Sequence, residues 1–141
     1  MADRPSLADY PHIVELGTRW DDNDIYGHVN NVTYYSYFDT VANAWLIDHG
    51  LDIHGGTAIG LVVESGCHYH AGVAYPDRLR VGLRIDRLGN SAVTWGLAVF
   101  TEDDDQAAAH GHFVHVFVDR VTRRPTQIPE PLRTAMAELT G

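Results

Sequence analysis

The chain changes its hydrophobic rhythm twice. Val14 to Trp20 is short and mixed, and it predicts a first strand ahead of an acidic loop. From Asn31 the period becomes helical. Tyr35, Phe38, Ala42, Trp45 and Leu46 recur at steps of three and four, one face of an amphipathic helix of about five turns. Asn30 or Asn31 can cap its start, and Gly50 after His49 is a suitable stop.

After Gly60 the chain reads as strands to about Val121. "LVVESGCHYHAGV" is the first run, closed by the turn-like "YPD". In "RLRVGLRI", Leu79, Val81, Leu83 and Ile85 alternate with Arg78, Arg80, Gly82 and Arg84, which predicts one wet face. Gly89–Asn90 turns into "SAVTWGLAVF", where Val93, Trp95, Leu97 and Val99 alternate again. The acidic tip Glu102 to Asp105 connects to "AAAHGHFVHVFV", and a Pro-punctuated tail predicts a short helix from about Glu130 to Leu139. One antiparallel sheet with one apolar face, covered by one long helix, is an α+β arrangement. Strands this long leave edges to be managed, which invites dimerisation through the sheet.

Composition narrows the function classes. A chain of 141 residues reads as one domain, 1–141, large enough to bury a core. With 45% hydrophobic and 21% charged residues, disorder is not expected. Nineteen acids against ten bases give a net charge of −9, with no basic run, so neither nucleic acid nor an anionic membrane is an expected partner. Single Cys67 excludes an internal disulfide framework and suits a reducing compartment. "MADRPSLADYPH" has no apolar signal core, and no stretch reaches the ~18–20 apolar residues of a membrane span. The expectation is a cytoplasmic protein.

The chemistry gathers in "RWDDNDIYGHVNN", Arg19 to Asn31, just before the helix. A solvated loop needs few such residues. "RWDDNDIYGHVNNVTYYSYFD" resembles the D-x-D-x-x-G-H-V-N-N-x-x-Y-x-x-Y-F segment of the hotdog-fold acyl-CoA thioesterases, the 4-hydroxybenzoyl-CoA thioesterase-like family. Asp22, Asp24, Gly27, His28, Asn30, Asn31, Tyr34 and Phe38 fall in place, and the long strands and "RRPTQIPEPLR" tail extend the likeness over most of the chain. The resemblance implies a hotdog fold, a long central helix wrapped by a strongly curved antiparallel sheet of about five strands. It also implies an acyl-CoA or related thioester as substrate, no cofactor, and a homodimer or homotetramer.

Thioester hydrolysis needs a nucleophile or a water-activating base, and donors for the developing oxyanion. A carboxylate supplies the first. Unpaired backbone N–H groups at a helix start supply the second. By resemblance Asp24 is the catalytic carboxylate, while Asp22 is the better candidate for fixing the loop, and both Asp21 and Asp22 are otherwise turn or cap residues. Gly27 is needed where φ is positive or a side chain would block the ligand. His28 contacts substrate, holds the loop or is simply exposed; Asn30 and Asn31 cap the helix and fix the loop. Tyr34, Tyr35, Tyr37 and Phe38 are core by default, with some of them candidates for an acyl pocket wall.

Outside the loop, Glu64 is a charge in the apolar "GLVVES", either lining the site of a neighbouring subunit or standing at an edge. His68 and His70 share a strand face, as do His110 and His112, with His115 on the other face. Such pairs suit a divalent ion, but no further ligand stands at metal spacing, and the resembling family works without metal. Interfacial or pocket-lining roles, with a pH-sensitive dimer as a consequence, fit them better. Arg78, Arg80, Arg84 and Arg87 present guanidinium groups suited to phosphate, or else a solvated basic face. In the resembling family the hairpin Arg87, Gly89, Asn90, Ser91 corresponds to where the nucleotide end of coenzyme A binds, although here it carries a single base.

No GxSxG, P-loop, GxGxxG or HExxH is present, and Cys67 reads as a packed strand residue. The leading expectation is a thioester hydrolase with Asp24 as nucleophile or base. Alternatives are a hotdog hydratase or dehydratase, which would need Asp24 and His28 to face one substrate carbon, and a non-catalytic acyl-binding protein.

Overall fold

The computed structural model describes residues 4–140. Strand β1 (His12–Gly17) precedes helix α1 (Asn31–Asp48), and β2 (Ala58–Tyr69), β3 (Arg78–Leu88), β4 (Ala92–Thr101) and β5 (Ala109–Asp119) follow. Helix α2 (Glu130–Met136) and a 3-10 turn (Ala137–Leu139) close the chain. The strands form one antiparallel sheet in the order β1-β3-β4-β5-β2, so β1 and β2 are its edges. This is the expected α+β hotdog arrangement.

The inner face of the sheet carries the core. Leu79, Val81, Leu83 and Ile85 from β3 and Val93, Trp95, Leu97 and Val99 from β4 are buried against α1, as their alternation predicts. The buried stripe of α1 is Tyr34, Tyr37, Phe38, Val41, Ala42, Trp45 and Leu46, while Tyr35 stands half-buried at its flank. The helix lies chiefly over β3 and β4. Asn30 caps it by accepting the Val32 N–H at 3.0 Å. Gly50, at φ 103°, ends it where a side chain would be strained, and the Leu51 N–H returns to the Leu46 carbonyl.

Two expectations need correction. The first strand is His12–Gly17 rather than Val14 to Trp20, because Trp20 turns out into a 3-10 segment, Trp20–Asp22. The outer face of β3 and β4 is also not simply wet. The segment before β1 folds over it, and Tyr10 packs with Ala98, Phe100 and Ala107 in a second small core. Gly82 leaves room for this, since a Cβ there would stand 2.6 Å from the Tyr10 ring. Arg84 lies over that ring at 4.7 Å.

Edge strand β2 is different. Leu61, Val62 and Val63 are exposed, and its pairing with β5 shifts register between Val62 and Glu64. No helix among the described residues is long and apolar enough to cross a membrane.

Candidate active site

The polar loop closes on itself. The Asp24 N–H donates to the His28 carbonyl at 2.9 Å, and the Gly27 N–H returns to the Asp24 carbonyl at 3.1 Å. Gly27 has φ 85°, so glycine is required by the turn rather than by a neighbour. Asp24 Oδ1 accepts the Tyr26 N–H at 2.8 Å; Oδ2 has no partner among the described residues. With Trp20, Asn23 and Ile25 the carboxylate lines a hollow of about 390 Å³.

Asp22 anchors this loop from inside. It is 2% exposed and accepts the Tyr37 hydroxyl at 2.7 Å, the Arg19 N–H at 2.8 Å and the Arg19 guanidinium at 3.2 Å. Burial pushes its carboxyl upward, but the donors from Tyr37 and Arg19 outweigh that and hold it below the usual carboxylate range. Its backbone carbonyl also accepts the Asn30 N–H at 2.9 Å, joining loop to helix cap. Asn23 holds the far side, accepting the Tyr75 N–H at 2.9 Å.

The start of α1 offers a donor. The Val32 and Thr33 N–H groups go to the Asn30 side chain and carbonyl, whereas the Asn31 N–H has no partner among the described residues. Near it, His28, Asn31, Tyr34, Tyr69 and Gly72 line a second hollow of about 340 Å³. His28 rests on Gly72, where a Cβ would be 2.8 Å from its ring. The Tyr69 hydroxyl donates to the Asn31 carbonyl at 3.3 Å and its ring meets Tyr34 edge-on. Within one chain Asp24 lines the first hollow, and His28 and Asn31 line the second.

Other predicted residues lie elsewhere. Glu64 is exposed on the outer face of β2 and binds His112 Nε2 at 2.8 Å. The hairpin Arg87 to Ser91 sits at the opposite end of the sheet from Tyr69 and the loop. Its carbonyls are held by the tail: Gly89 and Asn90 accept from the Arg133 guanidinium, and Asn90 also accepts the Ile128 N–H. Arg78, Arg80 and Arg84 pair with Glu15, Asp105 and Asp86, so they fasten the surface. Arg87 makes no ion pair among the described residues.

The histidines form a cross-strand ladder. His70 Nε2 and His110 Nδ1 are 2.8 Å apart, and His110 stacks between His68 and His70. Burial, then neighbouring cations, lower the pKa values of His70 and His110. Among the described residues no group of three or more His, Cys, Asp or Glu is placed to hold a metal ion. Burial lifts the Cys67 thiol to about 11, which leaves it a poor nucleophile. Sequence reasoning missed Tyr69 and Gly72 as site residues, and gave Tyr37 as a core or pocket-wall residue rather than as the partner of Asp22. Nothing in the sequence around Tyr69 or Gly72 signals that the fold brings them to the loop.

Known proteins share this fold. The chain is similar to the PA5185 protein of Pseudomonas aeruginosa, 56% identical, TM-score 0.95, covering 98% of this chain and 97% of that one. It shares its fold with a 1,4-dihydroxy-2-naphthoyl-CoA thioesterase from Synechocystis, 21% identical, TM-score 0.82, over 90% and 96% of the two chains. A weaker likeness, 25% identity over 80 residues, links it to YsmA of Bacillus subtilis; that match spans 57% of this chain and 54% of YsmA, about half its length. The sequence profile of the thioesterase-like superfamily matches residues 18–136, a span that contains the loop, α1 and the whole sheet from β2 onward. The chain belongs to the thioesterase-like superfamily.

Proposed function

We propose that this protein hydrolyses an acyl-CoA, or a related thioester, to a carboxylic acid and a thiol. The observation that carries the reading is that the anchored loop and the helix start it leads into each leave one polar group unsatisfied. Asp24 keeps one carboxylate oxygen free in a hollow, and Asn31 keeps a free N–H at the positive end of α1. As general base, Asp24 takes a proton from water, the hydroxide adds to the thioester carbon, and the oxyanion forms against the Asn31 N–H. Collapse breaks the C–S bond, and the thiolate leaves with that proton. As nucleophile, Asp24 instead forms a mixed anhydride that water then cleaves.

The working unit is a homodimer, alone or within a tetramer, paired through β2. Exposed Leu61, Val62 and Val63 on that edge support this, as do exposed Ile25, Tyr26 and Val32 around the loop. Antiparallel pairing of two β2 edges would carry one chain's Arg87–Ser91 hairpin and Glu64 toward the other chain's loop. Arg87, with Gly89, Asn90 and Ser91, then meets the phosphates of coenzyme A.

The test is thiol release from short, long and aromatic acyl-CoAs, with wild type beside Asp24→Asn. The mutant loses at least ~10²-fold in kcat if the carboxylate is base or nucleophile. Turnover that survives in the mutant would move the chemistry to another residue. Absence of turnover on every thioester would leave an acyl-binding protein.

A further inference from the structure

Asn23 is the middle residue of the D-x-D segment, between the buried anchor Asp22 and the carboxylate of Asp24. Its backbone is extended, φ −76° and ψ 144°, and bridges to Val29 across the loop. Its side-chain oxygen accepts the Tyr75 N–H at 2.9 Å. A backbone N–H only donates, so the atom facing it is Oδ1, and a flipped amide would set two donors against each other. The Nδ2 amide group is thereby held on the other branch of a side chain whose rotation is fixed.

That Nδ2 has no partner among the described residues. Every side-chain nitrogen or oxygen sealed from solvent in a residue that is not exposed is hydrogen-bonded, so Nδ2 of half-buried Asn23 is open to solvent. The hollow of about 390 Å³ lies against this same side chain, since Trp20, Asn23, Asp24 and Ile25 line it. Tyr75, whose N–H holds Asn23, meets the Trp20 ring edge-on at 5.9 Å, which braces the amide at the Trp20 wall. One hollow therefore carries an uncommitted acceptor, Asp24 Oδ2, and an uncommitted donor, Asn23 Nδ2. Consecutive Cα atoms stand about 3.8 Å apart, so these two side chains can reach the two ends of one small polar group.

We infer that the Asn23 side-chain amide is a catalytic hydrogen-bond donor to the thioester oxygen, working in the same hollow as Asp24. This rests on the thioesterase reading and adds a residue to it. As water deprotonated by Asp24, or the Asp24 carboxylate itself, adds to the carbonyl carbon, the C=O π pair moves onto oxygen. The Asn23 N–H meets that charge. When the pair returns, the C–S bond breaks and the donor again faces a neutral carbonyl; nothing is transferred from Asn23. A donor fixed in advance needs no rearrangement at the moment of reaction, and a neutral amide supplies it without setting a further charge beside the base. The oxyanion then has a side-chain donor from the loop as well as the backbone donor at the helix start.

The anchoring and donating roles of Asn23 can be separated. Asn23→Asp keeps an oxygen for the Tyr75 N–H but has no N–H of its own; Asn23→Ala has neither. Thiol release from acetyl-, octanoyl- and benzoyl-CoA is followed across pH, with Tm for each protein. Asn23→Asp should hold its Tm near wild type while the plateau of its kcat–pH profile falls about 10²-fold or more, the usual loss for one such donor. Asn23→Ala should fall as far in kcat and lose Tm as well. A smaller plateau loss in Asn23→Asp, or a profile that only moves to higher pH, overturns the proposal while leaving hydrolysis standing. The same proteins are titrated by calorimetry with ketone analogues of the three esters, a methylene replacing the sulfur, and with S-ethyl-, S-octyl- and S-benzyl-CoA, which lack the carbonyl. If no thioester is cleaved but wild type prefers a ketone by about ten-fold and neither variant does, the donor stands and the hydrolase reading falls. If neither cleavage nor that preference appears, the donor proposal falls too.

Discussion

The Tyr37 hydroxyl donates to Asp22 at 2.7 Å inside the protein, tying the second turn of α1 to the loop that carries Asp24. Tyr37 responds in kind: burial and the Asp22 carboxylate both raise its pKa, so it remains a donor at any working pH. Removing that donor in Tyr37→Phe leaves a buried carboxylate one hydrogen bond short, which costs about 1–3 kcal/mol. The expected outcome is a lower urea midpoint together with a fall in kcat. Because Asp22 titrates below its ordinary value, its contribution is present above the unfolded pKa of about 4 and is lost as pH falls through the folded value. Acid unfolding of Tyr37→Phe should therefore begin at a higher pH than that of wild type.

His28 sits where it does because residue 72 has no side chain. In Gly72→Ala the new Cβ would stand 2.8 Å from the His28 ring, so the ring must move out of the hollow it shares with Asn31 and Tyr69. Gly72 is exposed and has no positive φ, so stability should change by under about 1 kcal/mol. Steady-state kinetics on the best thioester should show raised KM or lowered kcat. An unchanged profile would remove His28 from the site.

The arginines separate by what they already hold. Arg87→Ala should raise KM for an acyl-CoA about ten-fold, the loss of one charge-assisted contact, with little change in kcat. Arg84→Ala should leave KM alone, because that guanidinium is spent on Asp86 at 2.8 Å and on the Tyr10 ring. The comparison is best made at low and high salt, since only the Arg87 effect should shrink with screening.

Several histidines couple folding to pH. His12, His70, His110 and His115 all have lowered pKa values, burial being the largest cause in each. The unfolded chain then binds more protons, so stability is full above about 6.5 and falls as pH drops through that value toward the folded ones. Tm should decline from pH 7 to pH 5, and His110→Gln should flatten the decline. A Tm independent of pH over that range would contradict it.

The β2 edge makes a prediction about assembly. Val62→Lys places a charge on an exposed edge position, which a lone chain tolerates and a strand-paired dimer does not. Light scattering should show a shift toward monomer, with thiol release falling in parallel. A fully active monomer would sink the dimer reading.

Much of this architecture was legible in the sequence. The period of two in β3 and β4 and the caps Asn30 and Gly50 are local signals, set by backbone geometry and side-chain type within a few residues. So is the D-x-D-x-x-G-H-V-N-N string, whose Gly27 does take the positive φ its turn requires. What the sequence did not reveal are contacts between segments far apart along the chain. Tyr10 over Gly82, Tyr37 under Asp22, Gly72 behind His28 and Trp95 against His115 join residues fifteen or more positions apart. No periodicity records such pairs, because they depend on how the sheet wraps the helix. The same holds for the arginines, alike along β3 but separated by whichever acids the fold brings to them. The sequence by itself determined which elements form and where the carboxylate is carried. Tertiary structure decided which polar groups are satisfied and which are left free, and the free ones on the loop and helix start, Asp24 Oδ2 and the Asn31 N–H, are where the hydrolysis is proposed.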